Sequence, residues 1–196
     1  MAITYSGITP TLLFDTSDLQ NTEKLSKVGG QLVKNRNGVC LSMVIDWIQK
    51  SLETTGGVTD KSQLKSGLSL ALMQTAYMRD VFDEDGLIDT QGLSVNTSSE
   101  IRQKTGLKGL FQKNPLIQIA TALAGMNGYA LINIFGGGFG HGLGFKQRTG
   151  TVQFYDPNEG VMQFASAKDF AKWFPSYIKG KYPNMRERIE LKKVTG

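Results

Sequence analysis

The sequence predicts an α+β fold in one domain, with helices in the first half and antiparallel strands in the second. Three observations carry this expectation. Apolar residues recur at helical spacing early in the chain: Met43, Val44, Trp47 and Ile48, then Leu64, Leu68, Ala71 and Leu72. From Tyr129 onward the pattern changes to short apolar runs broken by Gly and Asn/Pro turns. No internal repeat and no linker divides the 196 residues, a length that suits a single domain with a sizeable core.

In order along the chain, residues 1–29 read as a loosely ordered leader, and 30–196 as the single domain. A helix begins near Gly38 or Val39, continues through Leu52, and has Asn37 as its expected cap. Residues 54–60, with Gly56-Gly57, form a loop. A second helix over Leu64–Ala76 runs to the acidic cluster Asp83-Glu84-Asp85-Gly86, which reads as a solvated turn. Ser99–Lys104 suggests a short helix. Pro115, Leu116, Ile119, Ala120 and Leu123 mark another, stopped by Gly125. Strands are expected at Tyr129–Phe135, Leu143–Lys146, Thr151–Tyr155, Val161–Phe164 and Arg186–Leu191. An amphipathic helix from Ser166 or Ala167 to Tyr177 carries Phe170, Trp173 and Phe174, which read, with Trp47, as core.

Composition excludes several classes. One Cys forbids an intramolecular disulfide framework, and one Cys with one His cannot supply a common four-ligand structural zinc site, so no cofactor is expected. The net charge of +5 is unevenly spread. Residues 1–100 hold 8 Lys/Arg against 12 Asp/Glu, a balance of −4, and residues 101–196 hold 14 against 5, a balance of +9. The basic tail (Lys179, Lys181, Arg186, Arg188, Lys192, Lys193) reads first as a solvated strand with its lysines outward. The alternative is attraction to an acidic partner or an anionic membrane surface. No motif supports nucleic-acid binding. The N-terminus has neither the cationic start nor the apolar run of a signal peptide, and the uncharged stretch 114–145 is too interrupted by Asn, Gln and Gly to span a membrane.

Familiar motifs fail on spacing. The run Gly136–Gly144 lacks the third glycine of a dinucleotide loop and has no Gly-Lys-Ser/Thr. Counted from Asp83, the sixth position of a calcium loop is Ile88 rather than Gly. No Gly-x-Ser-x-Gly elbow exists. What remains is the one thiol and the one imidazole. Cys40 at a buried helix start is either a small hydrophobe or a thiol activated by the helix N-terminus, whose free N–H groups and dipole favour a thiolate. His141 stands between Gly140 and Gly142, which offer it neither packing nor caps and leave room for close approach. A hairpin of strands 141–146 and 151–156 would bring His141 beside Asp156, able to orient the ring. Asp before Pro157 is equally a common turn residue.

These residues, taken together, resemble a known family. The segments Asn35…Asn37-Gly-Val-Cys40-Leu-Ser-Met-Val-Ile-Asp-Trp47, Gly140-His141-Gly-Leu-Gly-Phe145, Phe154-Tyr-Asp156-Pro-Asn158-Glu-Gly160 and Phe170-Ala-Lys-Trp173-Phe are similar to the YopT-type cysteine proteases of bacterial effectors and toxins. The resemblance spans about residues 30–178. It implies a papain-like fold in which a helical part carrying Cys packs on an antiparallel sheet carrying His and Asp. It implies Cys40 as nucleophile, His141 as general base and Asp156 as the orienting carboxylate, with Asn158 or Glu159 as substitutes for the last. By the same resemblance Asn35 and the Cys40 backbone N–H form the oxyanion hole, with Asn37 able to replace Asn35.

The expected activity is therefore a monomeric thiol endopeptidase acting on a host protein, of which small GTPases and kinases are known examples in the family, after secretion by a bacterium and delivery to the host cytosol. Two alternatives stand beside it. The same triad supports glutamine deamidation or transglutamination through a thioester, and a non-catalytic adaptor would use the basic half to dock an acidic partner.

Overall fold

The computed structural model of the chain describes residues 3–20, 39–54, 56–65, 68–78, 83–102, 114–185 and 187–196. Its elements in chain order are β1 (Thr11–Phe14), α1 (Cys40–Glu53), α2 (Leu68–Met78), α3 (Glu84–Asp89), β2 (Ser94–Arg102), α4 (Pro115–Gly125), β3 (Gly128–Gly136), β4 (Phe139–Arg148), β5 (Thr151–Asp156), β6 (Gly160–Phe164), α5 (Ala167–Lys181) and β7 (Arg188–Thr195). The seven strands form one sheet in the order β1-β6-β5-β4-β3-β7-β2, and every pairing is antiparallel. This is the papain-like arrangement of Cys-bearing helix and His- and Asp-bearing sheet expected above. Helices also cover the second face of the sheet.

Alternation along the strands explains the two layers. Ala130, Ile132, Ile134, Leu143, Phe145, Val152 and Phe154 point to α4 and α5. Tyr129, Leu131, Tyr155 and Val194 point to α1 and its neighbours. On α5 the i, i+3, i+4, i+7 set Phe170, Trp173, Phe174 and Tyr177 is entirely buried. Truncating Trp173 or Phe170 to Ala would cost about 3–5 kcal/mol, because neither cavity can refill. On the other face α1 lies directly on β4. A Cβ on Gly144 would sit 2.8 Å from the Trp47 ring, and one on Gly142 would sit 3.2 Å from the Leu41 Cα. Glycine at 144 is what permits this spacing, and a side chain at 142 would push the helix back by a few tenths of an ångström.

Four expectations are corrected. The first part of the expected leader is ordered: Thr11 pairs with Gln163 and Leu12 with Met162, because the Thr-Leu-Leu-Phe run covers the open edge of β6. Tyr5 also packs edge-on against Trp173 and Tyr177. The helix expected at Ser99–Lys104 is instead strand through Arg102, paired residue by residue with β7 from Ser98 to Arg102; residues 103 and 104 lie outside the described residues. The acidic cluster is not a solvated turn. Asp83 caps α3 by accepting from the Gly86 N–H, and Glu84 is buried between Asn133 and Lys192. The basic tail is not a row of outward lysines: Lys192 is held by Glu84 and Asp85, and Arg188 pairs with Glu100 and Glu190 while lying 3.9 Å over the Phe135 ring.

Candidate active site

Cys40 is the first residue of α1, and Val39 occupies the N-cap with no side-chain cap. The expected cap, Asn37, lies outside the described residues, as does Asn35. Of the first-turn amides, Ser42 N–H donates to Gln74 Oε1 at 3.3 Å. The Leu41 N–H is directed at the thiol instead, and the Gly142 N–H reaches Cys40 Sγ at 3.5 Å from across the sheet. Gly142 thus lets α1 approach β4 and supplies a hydrogen bond to the sulfur.

The hairpin of β4 and β5 does what its spacing suggests. Gly144 pairs with Tyr155 and Arg148 with Thr151, so the start of β4 lies beside the end of β5. His141 Nε2 then meets Asp156 Oδ1 at 3.0 Å. With Nε2 engaged, Nδ1 is the ring nitrogen left for the hydrogen bond between His141 and Cys40. The three side chains form one continuous chain, and all three are buried.

Asp156 is held by more than His141. Its Oδ1 also accepts from the Asn158 N–H at 2.9 Å, while Oδ2 accepts from the Tyr182 hydroxyl at 2.6 Å and from the Tyr177 hydroxyl. Four donors saturate both oxygens. Tyr182 further lies 3.0 Å from His141 Nε2, and its ring packs against the imidazole at 4.8 Å between centroids. The Asn158 side chain donates to the Tyr182 hydroxyl at 2.9 Å. Asn158, offered above as a substitute for Asp156, therefore supports the tyrosine that holds it. Glu159 faces Lys181 instead.

Charges follow from these contacts. Burial alone would raise the Asp156 pKa, but the His141 hydrogen bond and charge and the two phenols outweigh it and hold the carboxyl below its ordinary value. Burial also opposes charge on His141, yet Asp156 and the Cys40 sulfur push its pKa up to about 10. Burial would likewise raise the Cys40 pKa, but His141 and the two backbone N–H groups lower it. The direction for the pair is a thiolate beside an imidazolium. Tyr177 and Tyr182 are pushed well above the usual phenol range by burial and by the Asp156 charge, so both remain donors.

Both tyrosines escaped the sequence reading, in which Tyr177 stood only as a helix end and Tyr182 was not singled out. Among the described residues no group of three or more His, Cys, Asp or Glu could hold a metal ion. No helix among them is long and apolar enough to cross a membrane.

Comparison with known proteins places the fold and the family. The solved structure of the Pseudomonas avirulence protein AvrPphB shares the fold at a TM-score of 0.59 and 14% identity, covering 83% of this chain and 94% of that one. The cysteine protease-like domain PatoxP of the Photorhabdus asymbiotica toxin PaTox matches at a TM-score of 0.38 and 16% identity, over 90% of this chain and 57% of that one. The YopT domain of the Pasteurella multocida PfhB2 toxin matches at 0.31 and 21%, over 90% of each chain. No curated protein sequence matches. The Peptidase C58 family profile, described as Yersinia/Haemophilus virulence surface antigen, matches residues 18–192. The chain therefore belongs to the Peptidase C58 family and is a cysteine peptidase of the bacterial virulence-effector type.

Proposed function

We propose that the protein is a thiol endopeptidase that cleaves a host-cell protein with Cys40, His141 and Asp156 as its triad. The observation that supports this best is the unbroken contact from Cys40 through His141 to a fully saturated Asp156. The Cys40 thiolate attacks the scissile carbonyl carbon and gives a tetrahedral oxyanion. The Cys40 backbone N–H and, by resemblance, the Asn35 side chain hold that oxygen. His141 donates its proton to the departing amine as the C–N bond breaks, leaving a thioester on Cys40. Water, deprotonated by His141, then hydrolyses the thioester and restores the thiolate–imidazolium pair. Asp156 keeps the ring in the tautomer that presents Nδ1 to the sulfur and stabilises the imidazolium.

Residues from about 30 onward form the catalytic unit in this reading, with the 11–14 strand added to its sheet edge. The enzyme acts as a monomer in the host cytosol after bacterial delivery, and small GTPases and kinases are the substrates to test first. Terminal-peptide proteomics on host lysate decides the reaction. Wild type should create new N-termini that Cys40→Ala does not. A +1 Da Gln-to-Glu change without a cut would assign deamidation instead.

A further inference from the structure

A partly polar cavity lies at the end of α1 and β4 opposite the candidate active site. From Cys40 to Ser51, α1 advances roughly 16 Å at 1.5 Å per residue. From His141 to Lys146, β4 advances roughly the same distance at about 3.3 Å per residue. At that far end a cavity of about 410 Å³ opens beside Ser51, Gly57, Tyr129, Lys146, Arg148 and Thr151. This volume falls in the range of small-molecule pockets.

Its polar groups are incompletely paired. Lys146 follows Gly142 and Gly144 on the face of β4 that meets α1, and it is only 5% exposed. Among the described residues its ammonium has no hydrogen-bond or ion-pair partner, and the charge acting on it is that of Arg148, which has the same sign. The Ser51 hydroxyl, 3% exposed, also lacks a hydrogen-bond partner. Gly57, at φ +83°, brings the loop so close that a Cβ there would lie 2.4 Å from Lys146 Nζ and 3.9 Å from Ser51 Oγ. Both unpaired groups therefore sit at one spot. The acid on the cavity wall, Glu53, is turned to Lys50 at 2.8 Å and to Gln49 at 3.1 Å. Tyr129 donates to the Ser51 carbonyl at 2.9 Å and takes a hydrogen bond from Arg148, which fixes the mouth.

One buried cation, one cation at the solvent-facing mouth and a free hydroxyl donor fit an anion of about two charges. A chloride or a single carboxylate would leave one cation unmatched. A phosphomonoester carries about −1.5 to −2 at neutral pH and offers three acceptor oxygens. We propose that this cavity binds a phosphomonoester group, with Lys146 as its buried cation, Arg148 as the cation at its mouth and Ser51 as a hydroxyl donor. The group belongs either to a soluble phosphate ester or to a lipid headgroup.

Calorimetry of the full wild-type chain with inorganic phosphate and with glucose 6-phosphate tests the soluble source. Sedimentation with phosphatidylcholine vesicles, with and without phosphatidic acid, tests the lipid source. Saturable binding of any of these probes that weakens at least tenfold in Lys146→Met and several-fold in Ser51→Ala and Arg148→Met is the expected result. Glucose 6-phosphate binding without vesicle capture assigns a soluble ester, capture by phosphatidic acid vesicles alone assigns a lipid, and both together assign the phosphate as the whole recognition element. Arg148 is exposed, so Arg148→Met decides the matter if Lys146→Met does not fold. The proposal is overturned if no probe saturates, or if binding persists unchanged in the variants that fold.

Discussion

The two ends of the α1–β4 pair treat buried charge in opposite ways. At the Cys40 end the thiol, imidazole, carboxylate and two phenols of the candidate site interlock. At the Ser51 end a buried hydroxyl has no hydrogen-bond partner, and the largely buried Lys146 has no ion-pair partner among the described residues. The difference shows how each end can act. A closed network holds one protonation state and one geometry before any substrate arrives, which is what an attacking thiolate requires. An open one leaves its interactions for something else to complete. Changes at the first end should therefore alter chemistry, and changes at the second should alter stability and ligand binding while sparing chemistry.

The largest effect that can break this contrast is loss of the nucleophile or its base. Cys40→Ala and His141→Ala should each lower peptide cleavage by about 10⁴-fold or more. Retained cleavage of a genuine substrate by Cys40→Ala would refute the proposed mechanism, since no other thiol exists in the chain. Next is Asp156→Asn, expected to cost about 10³- to 10⁴-fold. It also carries a pH signature. In the wild type the imidazolium loses its proton only near pH 10, so the alkaline limb of kcat/KM should lie there. Removing the carboxylate charge lets the His141 pKa fall toward its ordinary 6.5 and moves that limb down. Iodoacetamide labelling of Cys40 at neutral pH should slow in parallel.

A smaller loss, about a hundredfold in kcat, is expected for Asn35→Ala if its amide serves the oxyanion. Tyr182→Phe should cost about tenfold, the worth of one hydrogen bond to a charged acceptor. Here the sign is opposite to that of Asp156→Asn. One of the hydroxyls that holds the Asp156 pKa down is gone, so Asp156 protonates at higher pH and the acid limb moves up. A purely structural role for Tyr182 would lower activity at all pH values without moving either limb.

Several of these features could be read in the sequence, and the ones that could not share a physical cause. The helices α1 and α5 were legible because large apolar residues recur at helical spacing within one element, Met43, Val44, Trp47 and Ile48 in the first and Phe170, Trp173, Phe174 and Tyr177 in the second, although α1 is buried on every side from Cys40 to Ile48. The closeness of His141 and Asp156 was legible because a hairpin turns sequence distance into spatial distance. By contrast Ser94–Arg102 is almost wholly exposed, so no alternation marks it, and its strand state comes from pairing with β7. Glu84 looked solvated because Asn133 and Lys192 reach it from remote strands. Tyr177 and Tyr182 act on Asp156 across elements, and no spacing rule connects them.

The smallest expected effect concerns the open end. If Lys146 is buried without a partner, Lys146→Met should leave cleavage unchanged and make the unliganded protein more stable by about 1 kcal/mol in urea at neutral pH, the order of cost of one unsatisfied buried group. The pH dependence follows from the depressed Lys146 pKa, which burial and the Arg148 charge hold below 10.5. The unfolded chain keeps that proton to higher pH than the folded chain does. Wild-type stability therefore rises relative to the variant as the pH approaches 10.5, and the gap narrows. A phosphate ester should reverse the order: at a hundred times its wild-type Kd it stabilises the wild type by about 2.7 kcal/mol, and a variant bound tenfold more weakly by only about 1.4 kcal/mol. If the substitution destabilises the unliganded protein by several kcal/mol, with no narrowing toward high pH, then Lys146 is satisfied by the end of α1 and the two ends are alike.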